Sequence, residues 1–133
     1  MLNKTNFFNQ IKTVAIIGLS DNPERYSYQV ASYLQSHGYK IIPVNPNINK
    51  VLGNTSYPDL LSIPKEIKVD VVDIFRKPEL VMPHVKEAVA RADIKTIWMQ
   101  EGVVNNEAKS YAEAHGLNVI MNMCLMKEHK RKT

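Results

Sequence analysis

The sequence predicts an α/β domain of Rossmann-like, three-layer architecture, a five-stranded parallel sheet with helices on both faces. Short apolar runs rich in β-branched residues, as strands buried on both faces require, alternate with longer stretches whose apolar residues recur at helical spacing. Gly, Pro or Asn stands at nearly every junction, where elements end. Helix-length connections between successive strands imply parallel pairing through right-handed crossovers. With 133 residues the chain fits one domain, taken as residues 1–133 with a basic tail from about 127.

Thr5 to Ile11 reads as a short opening helix, capped by Thr5 or Asn6, with Phe7, Phe8 and Ile11 at helical spacing. Val14 to Ile17 is a continuous apolar strand that Gly18 ends. A helix follows from a start between Pro23 and Ser27. Its Ser27, Val30, Ala31 and Leu34 share one face, and His37-Gly38 stops it. Tyr39 to Val44 is the second strand, where Pro43 predicts a missing ladder partner late in the run. Asn47 to Ile67, broken by Gly53, Asn54, Pro58 and Pro64, is expected to be irregular, with a turn or two between Tyr57 and Ile63.

Val69 to Phe75 is the third strand. The helix after it presents Val81, Val85, Ala88, Val89 and Ala92 on one face, with a regular start near Pro83. Lys95 to Met99 is the fourth strand. Asn105 then reads as the cap of a helix that carries Glu107 in its first turn and ends at Gly116. Leu117 to Met121 is the fifth strand, and a short helix is expected after Cys124.

Composition narrows the function classes. At 44% hydrophobic and 23% charged residues the chain is of ordinary globular type. Most of its net charge of +4 sits in the tail Lys127-Glu128-His129-Lys130-Arg131-Lys132-Thr133, and no basic stripe interleaved with aromatics suggests nucleic acid. One cysteine excludes an internal disulfide, and no Cys/His cluster has zinc spacing. The residues from Met1 to Phe8 hold no long apolar segment, and no run approaches the roughly 20 residues of a membrane span. A cytoplasmic protein is expected, monomeric or homodimeric.

In a doubly wound sheet, ligands sit beyond the carboxyl ends of the strands where the strand order reverses. That edge gathers the loops Gly18 to Arg25, Asn45 to Asn47, Arg76-Lys77, Gln100 to Asn105 and Asn122 to Cys124. In the first loop Gly18 lets a backbone approach closely, Ser20 offers a hydroxyl, and Arg25 can pair with an anion beside the N-terminus of a helix. The competing reading is that Ser20 and Asn22 only cap the helix. Arg76 and Lys77 add positive charge at the same edge, Arg76 being the better ligand group for its planar fork. Ser20 and Pro23 stand where a dinucleotide fingerprint would continue with glycines, and Asn45-Pro46 stands where a ribose-binding acid is expected, so ordinary NAD binding is disfavoured.

No catalytic set emerges. His37, His84, His115 and His129 fall near helix ends or on helix surfaces, and Asp70 and Asp73 alternate along a strand toward a sheet edge or a helix cap. Cys124 is the one nucleophile-capable residue beside the site loops, and a packed, inert thiol is the blander account of it.

These residues resemble a known family. Gly18-Leu19-Ser20 through Asn22-Pro23 to Arg25 and Ser27, Pro43-Val44-Asn45-Pro46, Gly53 with Tyr57, Phe75-Arg76, Trp98 to Val103 with Asn105, Glu107 and Ala108, and Cys124 with Glu128 to Arg131 are similar to the small stand-alone CoA-binding proteins. Those resemble in turn the CoA-binding domain of the succinyl-CoA synthetase alpha subunit. The resemblance implies coenzyme A, or an acyl-CoA, with its diphosphate near Gly18, Leu19, Ser20, Asn22, Arg25 and Ser27. It implies a nucleotide held by Asn45, Pro46, Phe75, Arg76 and Lys77, and pantetheine leaving past Gln100 and Gly102. The chain departs from the family pattern at Leu19, where a small residue is commoner and which is expected to narrow the pocket. It departs again at Asn122-Met123, where an acid and an arginine usually precede the cysteine. Binding without catalysis is the expectation. The alternatives are a CoA-disulfide or acyl-CoA enzyme using Cys124, and a sensor of NAD or another adenine nucleotide.

Overall fold

The computed structural model describes residues 3–132; Met1, Leu2 and Thr133, the outermost residues of the N-terminal stretch and of the basic tail, lie outside them. Five strands form one parallel sheet: β1 (Thr13–Ile17), β2 (Lys40–Val44), β5 (Val71–Ile74), β6 (Thr96–Met99) and β7 (Asn118–Ile120). Their spatial order is β2-β1-β5-β6-β7. The chain runs outward from β1 to β2, then crosses back to β5 and proceeds the other way. The order therefore reverses between β1 and β5, at the centre of the sheet.

Alternation along the strands assigns the two faces. Ala15, Ile17, Val72, Ile74, Ile97 and Met99 pack under α3 (Val81–Arg91) and α4 (Asn106–Ala114). Val14, Ile16, Val71 and Trp98 pack under α1 (Lys4–Gln10), α2 (Tyr26–Ser36) and α5 (Leu125–Lys130). Each face thus closes a separate apolar layer. No helix among the described residues is long and apolar enough to cross a membrane.

The expected elements form, with local corrections. Asn3, rather than Thr5 or Asn6, caps α1 by accepting from the Asn6 N–H. Pro43 sits on edge strand β2 with its nitrogen directed away from β1, and its carbonyl accepts from the Tyr57 N–H instead. Ala92 is not on the buried face of α3: it ends that helix in a left-handed conformation at φ 69°. A short 3-10 turn over Pro78–Leu80 leads into α3, which places Pro83 in the first turn, where its missing N–H goes unused. The stretch expected to be irregular contains a small antiparallel hairpin, β3 (Lys50–Val51) with β4 (Asn54–Thr55). Both tip residues, Leu52 and Gly53, have positive φ, the requirement of the tight turn whose twist suits a hairpin.

His129 overturns the surface reading of the histidines. It is buried between α1, α2 and the turn that leads into β2, with its Nδ1 2.6 Å from the Tyr33 hydroxyl and its ring against Phe8, Tyr39 and His37. Burial, then the nearby Lys132 and His37, lowers its pKa, so the folded chain favours the neutral ring.

On the other face of the sheet, Arg91 at the end of α3 holds the irregular segment in place. Its guanidinium donates to the carbonyls of Leu60, Ile63 and Ile67 and pairs with Asp93 at 2.8 Å. Burial would push the Asp93 carboxyl up, but the hydrogen bonds from Arg91 and the Val69 N–H outweigh it and hold it below its usual range. Arg91→Ala leaves three carbonyls and a carboxylate without this donor and should destabilise the fold by roughly 3–5 kcal/mol. Urea denaturation measures it, and a loss under 1 kcal/mol would show that the segment is anchored elsewhere.

Candidate functional site

The carboxyl ends of β1 and β5 meet at the reversal of strand order. The Phe75 N–H donates to the Ile17 carbonyl at 2.9 Å, and the Gly18 N–H donates to Val44 on the other side. Gly18 has φ +82°, and a Cβ there would lie 2.3 Å from the Phe75 carbonyl oxygen. Only glycine lets the loop after β1 turn against the loop after β5 at this point.

That first loop is folded by its own short polar side chains. Ser20 Oγ accepts from the Asn22 N–H, Asn22 Oδ1 from the Glu24 N–H, and Ser27 Oγ from the Ser20 N–H, each at 3.0 Å. Ser20 and Asn22 therefore shape the loop rather than cap α2. Arg25 precedes that helix, and no side chain caps its N-terminus, so the first-turn N–H groups meet no side-chain acceptor. Gly18, Ser20, Arg25 and Ser27 line a polar cavity of about 410 Å³, closed by Tyr26 and Phe75.

A second cavity of about 420 Å³ adjoins it. Tyr26 and Phe75 line both, their rings 6.5 Å apart and steeply inclined at 63°. The remaining wall comes from Arg76, Lys77 and Pro78 after β5 and from Gln100 to Val103 after β6. Here the lining is mostly apolar. Glu101 is drawn to Lys127 at 3.1 Å, and Arg76 and Lys77 make no ion pair among the described residues. The Gly102 N–H donates to Asn122 Oδ1 at 2.8 Å, so the departure from the family pattern at Asn122 supplies a brace for this loop.

Next to this second cavity lies a buried polar group that sequence reasoning did not assemble. Asp73 on β5 is fully buried with neither carboxyl oxygen partnered. It occupies the face of Ile16 and Trp98, among apolar side chains. Burial alone pushes its pKa well above the ordinary 3.8. Gln100 is 2% exposed; its Oε1 accepts from the Leu125 N–H at 3.1 Å while its Nε2 has no partner. The Tyr26 hydroxyl rests 2.8 Å from Cys124 Sγ, and burial, then this bond and the charges of Cys124, Glu101 and Asp73, push the phenol pKa up. The signal available in the sequence was one carboxylate at an inward position of the run Val71-Val72-Asp73-Ile74.

Of the thirteen predicted binding residues, Gly18, Ser20, Arg25, Ser27, Phe75, Arg76, Lys77, Gln100 and Gly102 line the two cavities. Four do not. Leu19 is fully buried in the core, so its side chain does not narrow the pocket. Asn22 acts within the loop. Asn45 spends its side chain on the Leu19 carbonyl and the Asn47 N–H, and Pro46 follows it on an exposed turn. Asp70 accepts from the N–H groups of Lys12 and Thr13, tying down the start of β1 far from the site.

A parallel sheet of this order, with a glycine turn, an uncapped helix N-terminus and cationic side chains at the reversal point, defines a Rossmann-like α/β domain. The chain belongs to the CoA binding domain family, whose model matches residues 12–130. It is 40% identical over 118 residues to the uncharacterised protein YneT of Bacillus subtilis, covering 89% of this chain and 85% of that one. A hypothetical protein from Pyrococcus horikoshii of known structure is 40% identical with a TM-score of 0.91, over 96% of this chain and 88% of that one. The chain is also 31% identical over 104 residues to acetate–CoA ligase (ADP-forming) II of Archaeoglobus fulgidus, covering 77% of this chain but only 15% of the ligase.

Asp73 sets a testable pH dependence. Its pKa in the folded chain lies above the unfolded value near 3.8, so folding takes up a proton that the unfolded chain releases. Its contribution is therefore full below pH 3.8 and is lost as the pH rises toward the folded pKa. Asp73→Asn should raise the urea midpoint at pH 7 and bring no gain at pH 3; equal gains at both would mean that Asp73 does not titrate with folding.

Proposed function

We propose that the chain binds coenzyme A or an acyl-CoA across the two adjoining cavities at the carboxyl edge of the sheet. The observation that carries this is their pairing: a polar, cationic cavity at a helix N-terminus next to a mostly apolar one, joined at Tyr26 and Phe75. A CoA molecule has matching parts, anionic phosphates and a long uncharged arm. The diphosphate lies against Gly18, Ser20 and the first-turn N–H groups of α2, with Arg25 and Arg76 supplying bidentate contacts. The arm runs past Phe75, Gln100 and Gly102. Membership of the family supports the choice of CoA over NAD, as do the missing fingerprint glycines and the missing ribose acid.

The reading is of binding without catalysis. Cys124 is 2% exposed and bonded to Tyr26, which keeps its thiol from presenting itself as a nucleophile. Among the described residues, no three His, Cys, Asp or Glu side chains are grouped to hold a metal. A lone unpaired cysteine is in keeping with a cytoplasmic setting.

Calorimetry on the whole chain tests the proposal. CoA should bind with a dissociation constant in the micromolar range, and Arg76→Ala should weaken it roughly tenfold or more, the worth of one charge-assisted hydrogen bond. No binding at millimolar CoA, or tighter binding of NAD or ATP, would refute it.

A further inference from the structure

We propose that the floor beneath Tyr26 is a hydrogen-bonding pocket for the carbonyl oxygen of an acyl thioester, so that this site prefers a short acyl-CoA over CoA itself. The groups that make it are the Asp73 carboxyl and the Gln100 amide, which rests on the reading of CoA as the ligand.

Register places them together. Asp73 pairs with Trp98 across β5 and β6, and alternation returns Gln100 to the same sheet face one step beyond the strand end. They are diagonal neighbours, since the Gln100 N–H still donates to the Ile74 carbonyl beyond the strand end, and both side chains can reach one ligand oxygen. The orientation of Gln100 is fixed by chemistry. A backbone N–H can only donate, so the amide atom held by Leu125 is Oε1 and the free one is the NH2. Asp73 stands among Ile16, Trp98 and their neighbours, where burial pushes its pKa well above the ordinary value and so favours the protonated form, whose O–H is a donor. Among the described residues neither donor has an acceptor, and Gln100 lines the second cavity beside Tyr26, which is 38% exposed and with Phe75 lines both cavities.

Two buried donors at one point suit an uncharged oxygen with lone pairs, which a thioester carbonyl has and a free thiol lacks. The wall above, from Phe75, Pro78 and Val103, is apolar and suits the methyl or short alkyl group of such an acyl chain. An interior acid that costs stability is otherwise without a structural role at this position, because both its oxygens are unpartnered. Entry requires the Tyr26 ring to turn away from Cys124, its hydrogen-bond partner.

Three ligands separate the possibilities in calorimetry on the whole chain: acetyl-CoA, CoA, and S-ethyl-CoA, a thioether of the same length without the carbonyl. Acetyl-CoA should bind roughly five- to tenfold tighter than S-ethyl-CoA, the worth of one or two neutral hydrogen bonds. Asp73→Asn keeps an N–H donor and should keep that ratio, while Asp73→Leu should bring it within twofold with S-ethyl-CoA binding retained. Should the leucine variant not fold, Gln100→Met carries the same expectation. Equal affinities for acetyl-CoA and S-ethyl-CoA in the parent chain, or an unchanged ratio in the leucine or methionine variant, would overturn the inference while leaving CoA binding intact. Failure of all three ligands to bind would instead refute CoA as the ligand.

Discussion

The close approach of Gly18 to the Phe75 carbonyl is the constraint on which the site depends. It joins the loops after β1 and β5 at the place where strand order reverses, and it leaves no room for a side chain between them. Much of the site is hung from these two loops, and the loop after β6 completes the wall of the second cavity. The turn at Gly18 sets where α2 begins and hence where Arg25 and Tyr26 stand; the position of Phe75 sets where Arg76 and Lys77 emerge. The two cavities adjoin because Tyr26 and Phe75, one from each loop, face each other across the gap.

The two sheet faces are not equivalent. The face under α3 and α4 is uniformly apolar, whereas the face under α2 and α5 carries Asp73 and ends at Gln100 and Cys124. Buried groups without partners oppose folding, and a carboxyl among apolar neighbours does so most. Such groups persist where something other than stability selects them, and here Gln100 lines the second cavity while Asp73 stands two residues before Phe75, which lines both. Arg91 shows the contrasting case: a largely buried charge whose donors are fully engaged with Leu60, Ile63, Ile67 and Asp93, and whose role is structural.

Much of this was legible in the residues. Strand alternation with helix-length crossovers fixes the class of fold, and the helical spacing of Ser27, Val30, Ala31 and Leu34 identifies the face that α2 buries. The loops after β1, β5 and β6 were recognisable because they must sit at one sheet edge. What escaped were relations between distant segments. Leu52 and Gly53 form a hairpin tip that periodicity cannot detect over two-residue strands, and His129 is buried only because α5 lies against Phe8, Tyr33 and Tyr39. Leu19 and Asn45 read as ligand groups by their place in the loops; the fold turns one into the core and ties the other to the loop backbone. The partnerless state of Asp73 needs knowledge of both neighbouring strands, which no local window contains.

The helix α5 packs across α1 and α2, and Thr5 Oγ1 donates to the Lys132 carbonyl while Lys4 pairs with Glu128. Residues 127 positions apart in sequence are thus within one hydrogen bond in space. In connectivity the described chain is nearly a closed ring, and the point at which it is cut is almost arbitrary with respect to the sheet. A rearranged chain, with its ends bridged by a short linker and reopened at the hairpin tip, where Gly53 is exposed, keeps every strand neighbour it has now.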